Sequence, residues 1–151
     1  MLEYKERYQY NKQEIEKNYL SSKLRERSGY SGIYSQRNHR VFFEQLSTLE
    51  QKKLIQDLKI AYSQIISHYF DDENKVNKLI DRFVEKAFFV NLPINKVVEI
   101  HIELIDDLSR KLKLEGLHSD FLKNYRLALI DTLAHLAEMY RSVIKESCLH
   151  N

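Results

Sequence analysis

Only three glycines and a single proline punctuate 151 residues. A sheet protein of this length needs many tight turns, and tight turns draw on Gly and Pro for backbone angles that other residues resist. The chain therefore predicts long helices joined by a few short connections. Apolar spacing and end signals place four of them. The first opens at Ser47, with Glu50 three residues on completing a capping box, and Leu54, Ile55, Leu58, Tyr62, Ile65, Ile66 and Tyr69 mark its inner face. The second begins near Asp71, Asp72 and Glu73, acids suited to the positive end of a helix dipole. Val76, Leu79, Ile80, Phe83, Val84 and Ala87 form its stripe. Pro93 breaks that helix and fits the first turn of a third, which runs to about Leu114 before Gly116 stops it. Ser119 is the expected cap of a fourth helix that extends to about residue 147. Short connections make neighbours antiparallel, and the expected fold is an all-α four-helix bundle.

The composition shifts near residue 45. Residues 1–45 hold nine Lys and Arg against six Asp and Glu, together with six of the ten tyrosines; residues 46–151 hold fifteen against sixteen. The expected organisation is a linker-like, partly ordered extension over 1–45 and the bundle over 46–151. Within the extension, "NKQEIEKNYLSSKLRER" suits a marginal helix, and "IYSQRNHRVFF" suits an extended segment whose aromatics pin it to the body. The formal net charge of +2 is too small to imply nucleic acid by itself. One cysteine, Cys148, makes no intrachain disulfide, which points to a reducing compartment. No run of ~18 apolar residues exists to span a membrane. The N-terminal "MLEYKERYQY" has no apolar block of a signal peptide. A cytoplasmic location is the expectation.

Candidate functional residues come from helical wheels. In the fourth helix, Leu129, Ile130, Leu133, Leu136, Ala137, Tyr140, Val143 and Ile144 share one broad arc. His135 falls opposite, with Asp131, Glu138 and Ser142, and is expected on a polar, outward stripe. His101 sits at the centre of the third helix's apolar arc, where a neutral, hydrogen-bonded structural histidine is expected. Arg126 projects near an apolar arc and, if buried, needs an acid such as Glu103 or Asp106. Phe89 lies off its stripe at a helix end, a position that a dimer interface would cover. A di-metal bundle site needs two Glu-x-x-His motifs facing inward. The chain has only the reversed "HLAE", and neither metal nor cofactor is expected. The alternatives are a metal- or cofactor-binding helical enzyme, or a nucleic-acid adaptor working through the basic, Tyr-rich extension. Residue chemistry alone leads to a helical interaction module, dimeric by expectation.

Longer stretches carry a resemblance. "FFVNLPINKVVEIHIELIDDLSRKLKLEG" (88–116), "YRLALIDTLAHLAEMYR" (125–141) and "LKIAYSQIISHYF" (58–70) resemble the C-terminal domain of the KaiA family of cyanobacterial circadian clock proteins. The resemblance implies a homodimeric four-helix bundle, a regulator without enzymatic activity. It also implies capture of the C-terminal tail of the kinase KaiC, which favours KaiC autophosphorylation, and later sequestration by KaiB bound to KaiC. Family members often carry an N-terminal pseudo-receiver domain, for which the residues before the bundle are too few. Position 137 is Ala, where several relatives have Cys. The histidine of the family's "AHL" motif maps onto His135, which this resemblance places in the groove that takes the KaiC tail; Asp131, Glu138 and Ser142, on the same polar stripe of the wheel, are expected to flank it.

Overall fold

The computed structural model of the chain describes residues 37–149. Four helices follow one another: α1 (Thr48–His68), α2 (Glu73–Phe89), α3 (Ile94–Leu114) and α4 (Arg126–Leu149). Helix α1 packs against α2 and α3, and α4 closes the bundle mainly against α2.

The ends explain why the chain turns where it does. At the start of α1, Ser47 Oγ accepts from the Glu50 N–H while the Glu50 carboxylate accepts from the Ser47 N–H, so two orphan donors are satisfied reciprocally. Asp72, the middle acid of its cluster, caps α2 by accepting from the Asn74 and Lys75 N–H groups. Helices α2 and α3 end alike. Asn91, at φ 48°, and Gly116, at φ 72°, adopt left-handed backbone just past the last turn. The next N–H then folds back, from Leu92 to Ala87 O and from Leu117 to Leu112 O. This closes carbonyls that a helix end would leave open.

The core is the union of the stripes. Leu58, Tyr62, Ile65, Ile66 and Tyr69 from α1 meet Val76, Ile80, Phe83, Val84 and Ala87 from α2, with Val97 and Ile100 from α3. Tyr62 and Phe83 lie with ring centroids 5.4 Å apart, in the tilted geometry that aromatic quadrupoles favour.

Two expectations need correction, and a third is not tested. Residues 37–43 are not one extended run: His39–Val41 and Phe43–Gln45 form two 3-10 turns, with extended backbone at Asn38 and Phe42, and Phe43 is buried in the core. The expected marginal helix over 11–27 lies outside the described residues. Ser119 does not cap the fourth α-helix. It precedes a 3-10 turn, Asp120–Tyr125, makes no side-chain cap bond there, and α4 begins only at Arg126.

Candidate partner-binding site

The largest departure from the sequence reading is the orientation of α4. Its buried residues are Ala128, Asp131, Thr132, His135, Leu136 and Met139, whereas Ile130 is 49% and Ile144 62% exposed, and Ala137 is exposed between them. The wheel of α4 is apolar almost all round, so apolar spacing does not fix which face turns inward. The buried polar groups lie against one another and against α1. Asp131 Oδ1 lies 3.1 Å from His135 Nδ1, one helical turn away, and both side chains have no solvent exposure. The Tyr69 hydroxyl donates to Asp131 Oδ2 at 3.3 Å. The Thr132 hydroxyl donates to the Ala128 carbonyl at 2.7 Å. The expected outward stripe of Asp131 and His135 is thus overturned: this pair is an inner tie between α4 and the end of α1. Glu138 and Ser142 are half-buried, and Glu138 accepts from Arg141 at 2.9 Å.

Other candidates fall as follows. His101 is buried, and its Nδ1 lies 2.7 Å from the Tyr62 hydroxyl. Burial pushes the Tyr62 phenol up and the His101 imidazole down, which favours the neutral form of each, and the two share one hydrogen bond between α1 and α3. Arg126 is exposed rather than buried, so it has no need of an acidic partner. Glu103 pairs instead with Lys59, and Asp106 with Arg110. Phe89 is half-buried, edge-on to Phe88. Among the described residues, no three His, Cys, Asp or Glu side chains come together as a metal site requires. Nor is any described helix long and apolar enough to cross a membrane.

The wheels also missed an anchor at the bundle's entrance. The Arg37 guanidinium sits 4.3 Å from the Phe88 ring centroid and 5.3 Å from those of Phe42 and Tyr140. It donates to the Phe88 carbonyl and to Asn91 Oδ1, each at 3.3 Å. The Tyr140 hydroxyl donates to the same Asn91 oxygen at 3.0 Å, and the Phe43 N–H donates to the Val90 carbonyl at 2.6 Å. This strap, residues 37–46, is tied to the α2–α3 turn and to α4 at once. The one local signal was "RNHRVFF", whose arginines and adjacent aromatics suit cation–π contact.

Comparison with known proteins places this geometry. The profile of the KaiA C-terminal domain matches residues 26–147. The circadian clock oscillator protein KaiA of Thermosynechococcus vestitus is 49% identical over 125 residues, covering 83% of this chain and 44% of that protein. KaiA of Nostoc sp. is 45% identical over 96 residues, 64% of this chain and 94% of that protein. The crystal structure of the C-terminal domain of KaiA from Thermosynechococcus elongatus BP-1 superimposes with a TM-score of 0.58 at 48% identity, covering 66% of this chain and 93% of that one. Against the longer curated relatives, the chain spans less than half of their length.

Proposed function

The chain belongs to the KaiA C-terminal domain family of circadian clock proteins, and from that premise we propose that it is a homodimeric, non-catalytic regulator of the clock kinase KaiC. In this reading the dimer binds the C-terminal tail of KaiC in the cytoplasm and holds it extended. Withdrawing one conformer of a flexible tail from its equilibrium shifts the kinase's population toward the autophosphorylating state, and needs only differential affinity for that conformer. The KaiB–KaiC complex is a second partner that later sequesters the regulator. Neither a cofactor nor a metal takes part.

The observation that carries this reading is the inversion of α4. A helix that buries Asp131 and His135 while exposing Ile130, Ala137 and Ile144 leaves an apolar stripe at heptad spacing on the outside. Such a stripe suits the seam between two copies. Phe89 extends this interface from the end of α2. Asp131 and His135 serve the tail groove as positioning residues, holding α4 at a fixed rotation, whereas Glu138 and Ser142 reach its accessible flank. The test is autophosphorylation of purified KaiC with and without the chain, beside sedimentation velocity of the chain alone. Stimulation by a dimer is expected. A dimer that leaves KaiC phosphorylation at its basal level rejects the kinase reading, and a monomer rejects the interface.

A further inference from the structure

A groove of about 480 Å³ opens where the strap meets the first turns of α1 and α3. Phe43 and Ile55 supply apolar surface, and Lys52, Lys59 and Lys96 stand among the polar residues that line the rest. Every ionisable side chain lining this groove is a lysine. Lys59 and Lys96 are paired with Glu103 and Glu99, but neither carboxylate lines the groove, and these pairs are half-open to water. Exposed pairs of this kind exchange partners at little cost. Lys52 is exposed on the rim. Phe43 is buried and held by its own backbone: its N–H donates to Val90, and its carbonyl accepts from Gln51 Nε2 at 2.9 Å. The groove's wall is therefore preformed.

We propose that this groove docks an extended acidic peptide segment of a partner protein, with two or three Glu or Asp side chains meeting Lys52, Lys59 and Lys96 and an apolar side chain resting on half-buried Ile55 beside the buried Phe43. A peptide fits better than a nucleic acid because Phe43 is buried and offers no open ring face on which a base can stack. The inference goes beyond the proposed kinase regulation and requires neither the dimer nor KaiC.

The probe is a fluorescein-labelled peptide of alternating Glu and Leu, read by anisotropy against the same peptide with Gln for every Glu. The acidic peptide is expected to bind, and to weaken as salt rises. The Gln peptide and the Lys52→Gln/Lys96→Gln double variant are each expected to bind at least about tenfold more weakly. Lys113→Gln, an exposed lysine distant in sequence, leaves the affinity unchanged, and thermal melts confirm that both variants stay folded. Equal affinity for the two peptides overturns the proposal, as does an unchanged affinity in the double variant. Displacement of the peptide by a single-stranded oligonucleotide that binds more tightly overturns it in favour of nucleic acid. Because the readout contains no kinase, a chain that binds the peptide yet fails to stimulate KaiC leaves this proposal standing. Loss of peptide binding with stimulation intact overturns this proposal alone.

Discussion

Asp131 and His135 show how a side chain's chemistry outranks its hydropathy. Read singly, each is polar and belongs outside; as neighbours one turn apart, with the Tyr69 hydroxyl alongside, they lie against one another and are fully buried. Removing one member of a buried polar pair leaves the other without that neighbour, at a cost of about 1–3 kcal/mol. His135→Ala is therefore expected to lower the urea midpoint clearly, whereas the double change Asp131→Leu/His135→Leu, which removes both polar groups and fills the space with apolar side chains, restores most of it. A single variant as stable as the parent contradicts the inner tie. His101 makes a second prediction. Burial lowers its pKa below the ordinary imidazole value, so the unfolded chain binds the proton more readily. The stability it contributes is complete above about pH 6.5 and is lost as pH falls toward the lower, folded-state pKa. Urea midpoints measured from pH 7.5 to 5 should decline with a shallower slope in His101→Gln, whose amide pairs with Tyr62 in either direction but does not titrate in this range.

At the scale of elements, the sequence was legible wherever one face was plainly apolar and one residue had a unique backbone role. The inner faces of α1 and α2 match the stripes read from spacing because their opposite faces are rich in Lys, Glu and Asp. Ser47 with Glu50 marked a start, and Gly116 a stop, since few other residues do those jobs. Asn91 does the same job as Gly116 at the end of α2, but Asn tolerates left-handed backbone less exclusively, so its place there was not apparent. α4 was misread for the converse reason: apolar residues surround it, and the tie that fixes its rotation is made with Tyr69, on a different helix. The strap was illegible for a similar reason, since Arg37 finds its partners 51 and 54 positions away. Arg37→Ala removes the guanidinium from three rings and two acceptors. It should destabilise by about 1–2 kcal/mol and raise amide exchange in residues 38–46 ahead of the bundle. Arg37→Lys keeps the charge but not the planar fork, and should recover less than half of that loss. Uniform exchange throughout the chain in Arg37→Ala contradicts a local strap.

At the scale of the whole molecule, the rotation of α4 joins stability to assembly. With the Asp131–His135 tie inside, Ile130 and Ile144 are forced out, so the interaction that fixes the helix also builds the surface proposed to pair two copies. Changes on that outer face touch no core contact and should act on association rather than on folding. Ile130→Glu/Ile144→Glu places like charges in the seam twice over in a two-fold dimer, because each residue there recurs on the partner copy. The dissociation constant should rise by about a hundredfold or more. The helical circular dichroism should be unchanged, and the urea midpoint of the monomer should shift little. His135→Ala should act in the opposite order, loosening the fold first and the dimer as a consequence. Sedimentation and urea melts of the two variants side by side separate these routes. A glutamate variant that still sediments as a dimer, or that unfolds before it dissociates, places the seam elsewhere than on α4.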